Sequence, residues 1–186
     1  MKIEGTSIKI DKKTFLQLGI LSVGGITTAQ IMLMYSYGLI PVGMATTLHF
    51  VYPVVVAFAL VLFFKEKLTP IKIAALVVAV GGIAVMSMEG GELNVVGILV
   101  ALGSGVVWAF YILYMDKSGL SKLSAYLIGF YVSVYSIIEC GIVGLATGNL
   151  TMLTSAKGWM LAIAAMLLAR VIGQSLFQIG IRGAGS

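Results

Sequence analysis

Long apolar stretches separated by short polar segments dominate the hydrophobicity pattern of this chain. Each stretch approaches the roughly 20 residues that an α-helix needs to cross a hydrocarbon core. Because backbone polar groups must be paired within lipid, each stretch is predicted to be a transmembrane helix. The sequence therefore predicts an all-α membrane protein with six transmembrane helices: Leu16–Tyr37, Val42–Phe64, Ile71–Met88, Val95–Met115, Leu123–Ala146 and Gly158–Gly180.

The composition supports membrane insertion. The 186 residues are 60% hydrophobic and 10% charged, whereas soluble domains carry about 25% charged residues. The 23 glycines are typical of membrane bundles, in which small residues allow helices to approach closely. The polar N-terminal segment, residues 1–14, precedes a stretch too long for a signal peptide. No loop has room for a soluble catalytic domain, so we expect one membrane domain embedded in a lipid bilayer.

The basic residues predict the orientation, because cytoplasmic loops are enriched in Lys and Arg. With the N-terminus in the cytoplasm, ten basic residues lie in cytoplasmic segments and only Lys157 lies in a loop on the opposite side. Both termini are therefore predicted to be cytoplasmic. The net charge of +5 is mostly this orientation signal, so we expect no nucleic-acid partner.

Cysteine and histidine content limits the possible chemistry. Cys140 is the only cysteine and His49 the only histidine, which leaves no Cys- or His-based metal cluster. The glycine pairs lie in apolar helices or short turns, so they do not form a nucleotide-binding loop. We predict no cofactor, no metal and no catalytic residue.

A faint internal similarity relates the two ends of the chain. Residues 37–43 and 179–185 share a glycine and apolar pattern, and each follows the end of a predicted helix. The two helices are the first and the sixth predicted spans, five positions apart in the order of crossings, so they cross the membrane in opposite directions. This relation is typical of inverted-repeat transporters.

The stretch from residue 36 to residue 83 resembles the EamA-like family of the drug/metabolite transporter superfamily. The resemblance is carried by a mid-span Pro53, a Glu-basic-Leu ending at Glu66, and a glycine pair in the following helix. The matching segments are Ser36-Tyr37-Gly38-Leu39, Ala45-Thr46-Thr47-Leu48, Tyr52-Pro53-Val54-Val55, Phe64-Lys65-Glu66-Lys67-Leu68-Thr69, Ala79-Val80-Gly81-Gly82-Ile83 and, in a later helix, Val106-Val107-Trp108-Ala109-Phe110-Tyr111.

The resemblance implies a bundle of ten helices in two inverted repeats of five. This chain would supply helices three to eight: the last three of the first repeat in 15–88 and the first three of the second in 95–186. We therefore expect an incomplete transporter, arising from a fragment, a misassigned start and stop, or a decayed gene. A homodimer or missing chain segments would complete it. The resemblance also implies the bacterial inner membrane, a small-molecule substrate and alternating access.

Two charged residues, Glu139 and Arg170, lie deep within predicted helices. A charge there costs at least about 2.5 kcal/mol, so both should face protein or water. Glu139 continues a polar stripe with Tyr135, and Arg170 continues one with Gln174. Because the two helices are consecutive and antiparallel, the stripes are predicted to meet. They form a candidate substrate or proton site, with a structural Glu–Arg pair as the alternative.

The helix Val42–Phe64 is the second candidate for a substrate pathway. Pro53 removes a backbone donor and frees a carbonyl about one turn earlier, near His49. Broken helices of this kind often line transporter cavities. Trp108 and Gln30 are further candidates for the cavity wall. The alternatives are a tolerated kink, an interhelical hydrogen bond of His49, and plain packing.

Glu66 is predicted to have a different role, because it lies at the cytoplasmic end of its helix between two lysines. It matches the family's glutamate, and its position favours a structural or gating contact. The predicted function is secondary transport of a small metabolite or drug-like solute. A non-transporting scaffold or decayed remnant is the alternative, and an intramembrane enzyme using Glu139 and Arg170 is a third hypothesis.

Overall fold

A computed structural model describes residues 10–65, 94–148 and 154–168, together with positions 70, 73, 74, 77, 81, 173 and 176. Within these residues the regular structure is entirely helical. The described helices are α1 (Lys12–Leu21), a π-helix (Ser22–Ile26), α2 (Thr27–Tyr37), α3 (Val42–His49), α4 (Tyr52–Phe64), α5 (Val95–Lys117), a 3₁₀ turn (Leu120–Lys122), α6 (Ala125–Thr147) and α7 (Ala156–Met166).

Four segments among the described residues are long and apolar enough to cross a membrane: Lys12–Tyr37, Val42–Phe64, Val95–Lys117 and Ala125–Thr147. They correspond to the first, second, fourth and fifth predicted spans, and the all-helical membrane class is confirmed. The third predicted span, Ile71–Met88, lies largely outside the described residues. The sixth is described only in its first part, where α7 forms a shorter apolar helix.

The chain divides into two compact units. One combines Met1–Val23 with Tyr114–Ser186, and in it α1 packs on α6. Leu18 and Leu21 of α1 are fully buried, and Ile128 of α6 is 1% exposed. The buried Ser22 hydroxyl donates to the Val132 carbonyl at 3.3 Å. Apolar packing and polar contacts thus join segments that lie far apart in sequence.

The other unit is Gly24–Leu113. Its core contains buried side chains from the α2–α3 turn, α3 and α5, and partly buried neighbours surround them. The buried members are Ile40, Ala45, Leu48 and Ala101, and the neighbours are Leu33, Tyr37, Met44, Ile98 and Leu102. A Cβ added to Gly97 would lie 2.8 Å from atoms of both Leu39 and Ile40. The absence of a side chain therefore brings α5 directly against the α2–α3 turn.

A π-helix, Ser22–Ile26, interrupts the first span between α1 and α2. The hydrophobicity pattern predicts one continuous helix here and does not indicate the interruption. The segment Ser-Val-Gly-Gly-Ile contains two glycines that lower the helix propensity. A Cβ on Gly25 would lie 3.0 Å from the Cβ of Tyr111. The local widening therefore occurs where a glycine lets α5 approach this segment closely.

Serine side chains cap the last two described helices. The Ser124 hydroxyl accepts a hydrogen bond from the Leu127 amide at 3.2 Å at the start of α6. The Ser155 hydroxyl accepts one from the Gly158 amide at 3.0 Å at the start of α7. Each cap satisfies one of the first-turn amides that have no partner within the helix. α6 ends at Thr147, and the following Gly148 has a φ of 68°, a conformation that favours glycine.

The cap of α6 gives a first prediction. Ser124→Ala should lower the free energy of unfolding by about 1 kcal/mol, because the Leu127 amide loses its acceptor. Ser121→Ala, in the neighbouring 3₁₀ turn, is the matched control and should have a smaller effect. Unfolding in mixed micelles of increasing SDS content, followed by circular dichroism, measures the difference. Equal midpoints for the two variants would contradict a capping role.

Candidate functional site

The second span is broken between α3 and α4 around Pro53, which lies in the first turn of α4. Pro53 has no N–H, so the His49 carbonyl loses the donor that a continuous helix would give it. The chain tightens before this point: the Val51 amide donates to the Leu48 carbonyl at 3.1 Å, three residues earlier rather than four. The regular ladder resumes when the Val55 amide donates to the Val51 carbonyl at 3.2 Å.

Gly105 of α5 faces the break. A Cβ added there would lie 2.5 Å from the His49 carbonyl oxygen and 2.8 Å from the Val51 side chain. Only a glycine leaves room for this oxygen. The Gly105 Cα thus lies beside the carbonyl that Pro53 frees, in an arrangement suited to a weak Cα–H···O contact. The broken helix and α5 therefore approach each other backbone to backbone.

His49 makes a polar contact at the same crossing. Its Nδ1 lies 2.8 Å from the hydroxyl oxygen of Ser104, the residue before Gly105. Ser104 is fully buried, and its hydroxyl donates to the Ala101 carbonyl at 2.6 Å. The imidazole is thus held by a short chain of hydrogen bonds on α5, while the ring itself remains only partly buried.

Aromatic rings surround the imidazole. Ring centroids lie 5.7 Å from His49 for Trp108, 5.9 Å for Tyr52 and 6.3 Å for Phe50. The Tyr52 and Trp108 rings are themselves 6.5 Å apart. His49, Tyr52 and Trp108 are all partly buried. We call these three rings together with Ser104 the His49 site. The structure thus brings together His49, Pro53 and Trp108, three of the predicted pathway residues.

The threonines next to the break are satisfied locally. The Thr46 hydroxyl donates to the Val42 carbonyl at 2.7 Å, and the Thr47 hydroxyl donates to the Gly43 carbonyl at 2.8 Å. Tyr37 also lies within hydrogen-bonding distance, 3.3 Å, of Thr46. Such back-bonding is common for Thr inside helices. Gln30 lies on α2 and is partly buried; it belongs to the same unit as His49.

Tyr135 lies in the other unit and contacts α1. Its hydroxyl donates to the Phe15 carbonyl at 3.0 Å, and the two rings lie 5.3 Å apart. Gly19 of α1 makes room for the tyrosine, since a Cβ there would lie 3.1 Å from its ring. Glu139, one turn further along α6, is partly buried, and its Oε2 is shielded from solvent.

Three predicted residues, Arg170, Gln174 and Glu66, lie outside the described residues, so the Glu139–Arg170 pair stays a prediction. Ser104 and Gly105 are not among the site residues predicted from the sequence. Their signal is the run Gly103-Ser104-Gly105 within an apolar span, because small residues mark close helix contacts in membranes.

Several long apolar helices, one of them broken at a proline, make this a multi-pass helical membrane protein. Residues 2–88 match the model of the EamA-like transporter family. The resemblance predicted from the sequence is therefore confirmed over this segment of the chain. The match includes the broken span and His49.

A curated relative is the uncharacterized transporter YvbV of Bacillus subtilis (strain 168). The two chains are 31% identical over 100 residues, which are 53% of this chain and 33% of the relative. The chain thus aligns with about a third of the relative's length. No solved structure matches.

The contact between Gly105 and the His49 carbonyl gives a second prediction. Gly105→Ala should lower the free energy of unfolding by about 1–3 kcal/mol, the usual effect of overpacking. The new methyl group would meet backbone, which cannot rotate away. Thermal unfolding in detergent, followed by circular dichroism, provides the measurement.

Gly43→Ala is the matched control, since a Cβ there meets no atom within 4 Å. It replaces a helical glycine in the same unit and should be neutral or slightly stabilising. If the two variants unfold at the same temperature, the close approach of α5 to the broken helix is wrong.

Proposed function

We propose that this chain is part of a secondary transporter that carries a small metabolite or drug-like solute by alternating access. The observation that supports the proposal best is the break between α3 and α4, which leaves a backbone carbonyl and an imidazole within a membrane span. At 1.5 Å per residue, the break lies about 12 Å along the helix from its start. Irregular backbone at this depth is tolerated where it is buried in protein or lines a polar cavity.

The polar groups at the break favour a cavity on one side of it. The His49 carbonyl is covered by Gly105, and Nδ1 is held by Ser104. His49 as a whole is only partly buried. Polar groups within lipid are expensive and are usually kept for function. Broken helices form substrate sites near the midplane in several transporter folds.

The family match supports the same class of function, because residues 2–88 contain the broken span and the bacterial relative is named a transporter. We further propose the inverted arrangement of five plus five helices, with 15–88 and 95–186 in successive repeats. A second copy or further chain segments would complete the cavity. In this arrangement Glu139 and Arg170 form a second polar site, Glu66 acts at the cytoplasmic gate, and no step is enzymatic.

A comparison of solutes tests the proposal. The native gene, with its flanking DNA, is expressed in cells that lack the chromosomal copy. Mass spectrometry then compares the solutes inside and outside the cells. Expression should shift the distribution of a specific solute, and His49→Ala should lower its initial transport rate about tenfold, the effect of losing one hydrogen bond of about 1.4 kcal/mol.

Phe63→Ala is the control for this comparison. Phe63 is 73% exposed on α4, far from the His49 site, and its replacement should leave transport unchanged. The amounts of each variant in the membrane are matched by immunoblot. If no solute distribution changes on expression, the scaffold interpretation replaces transport. If a solute is transported but His49→Ala transports it normally, the assignment of His49 to the transport site is wrong.

The proposed location is the inner membrane, with both termini in the cytoplasm. In a Cys140→Ser background, Thr154→Cys and Ser121→Cys place single thiols in two different loops. A membrane-impermeant maleimide should label Thr154→Cys in cells whose outer face is accessible, and Ser121→Cys only after permeabilisation. The reverse pattern would contradict the orientation derived from the basic residues.

A further inference from the structure

The hydrogen bonds of the His49 site determine which nitrogen of the imidazole carries the hydrogen. The Ser104 hydroxyl has one hydrogen, which it donates to the Ala101 carbonyl at 2.6 Å. It therefore has only lone pairs to offer to His49 Nδ1, 2.8 Å away. A contact of this length needs a hydrogen between the two atoms, so Nδ1 must carry it. In a neutral imidazole the other nitrogen, Nε2, is then an acceptor.

The surroundings favour the neutral ring. His49 lies within a membrane span among Phe50, Tyr52 and Trp108, where a charge without a partner is expensive. Ser104 is fully buried, so water does not compete for its contact with Nδ1. The result is an acceptor with a fixed direction on a ring that has aromatic neighbours.

We infer that Nε2 of His49 is the hydrogen-bond acceptor of a solute site, and that its solutes carry a hydrogen-bond donor, an N–H or O–H group, on an aromatic or other apolar body. The donor would bind Nε2, and the apolar body would pack on Tyr52 and Trp108. A cationic donor would also be attracted by the aromatic faces. A solute that offers only acceptors at this position would leave the lone pair of Nε2 unpaired.

The substrate class in this inference rests on the proposed transport function, whereas the hydrogen-bonding role of His49 can be measured by itself. His49 is the only histidine, so labelling histidine with ¹⁵N gives the ring signals of one residue. Long-range ¹H–¹⁵N spectra of the detergent-solubilised chain distinguish nitrogens with and without hydrogen. We expect Nδ1 to carry hydrogen and Nε2 to carry a lone pair.

Three probes of similar size test the ligand class. Phenethylamine offers an ammonium donor, phenylacetamide a neutral N–H donor, and 3-phenylpropionate only acceptors at neutral pH. At least one of the two donors should shift the Nε2 signal, and 3-phenylpropionate should not. The comparison of amine with amide shows whether positive charge contributes. If neither donor shifts Nε2, or if Nε2 carries the hydrogen in the free protein, the inference is wrong.

Two variants distinguish the role of Nε2 as an acceptor from the role of Ser104 in fixing the tautomer. His49→Asn places an amide N–H near the position of Nδ1, which can still donate to Ser104, but it has no group at the position of Nε2. It should bind the effective donor probe about tenfold more weakly. Ser104→Ala removes the group that keeps the hydrogen on Nδ1, so both tautomers become populated. The chemical shift of Nε2 should then move towards the value of a nitrogen that carries hydrogen.

Trp108 reports binding independently of the NMR signal. The chain has two tryptophans, and Trp159→Phe leaves Trp108, beside His49, as the single tryptophan. The effective donor probe should change its emission, and His49→Asn should shift the titration midpoint about tenfold. An unchanged midpoint in His49→Asn would contradict the inference even if transport is intact. Conversely, donor binding without any transport would refute the proposed function and leave the acceptor role standing.

Discussion

One missing hydrogen-bond donor organises the unit Gly24–Leu113. Pro53 cannot donate to the His49 carbonyl, so the second span separates into α3 and α4 at this point. In a bilayer the freed carbonyl needs a protein environment, because lipid offers no donor. Gly105 supplies this protein environment, since a Cβ added there would lie only 2.5 Å from that oxygen. The approach of α5 to the break in turn places Ser104 within reach of the imidazole.

A face of small residues on α5 makes this approach possible. Gly97, Ala101 and Gly105 follow one another at intervals of four residues, so they lie on one side of the helix. Ala101 is fully buried, and side chains at either glycine would collide with neighbours across the interface. Lipid provides no hydrophobic force that drives helices together, so close packing of this kind carries much of the association. The same closeness makes the polar contact of Ser104 short and well directed.

The sequence predicts the helices well because a span is a local property. Twenty apolar residues without charge are enough to identify it, and Pro53 marks the break by its chemistry alone. Partners across helices are different, since they depend on the rotation of each helix about its axis. The pairing of His49 with Ser104, and of Tyr135 with the Phe15 carbonyl, therefore needed three-dimensional structure. The π-helix at Ser22–Ile26 escaped prediction because an apolar pattern does not distinguish one extra residue within a span.

The tautomer of His49 connects this architecture to selectivity. An apolar pocket discriminates weakly between solutes of similar shape, whereas a buried polar group left unpaired rejects a solute strongly. A hydroxyl partner could in principle serve an imidazole as donor or acceptor. Ser104 does not have this choice, because its hydroxyl already donates a hydrogen bond to the Ala101 carbonyl. The backbone of α5 thus dictates the direction of the Ser104 contact, and through it whether Nε2 accepts or donates. Selectivity for solutes with a hydrogen-bond donor would then originate in a helix crossing that Pro53 and Gly105 make possible.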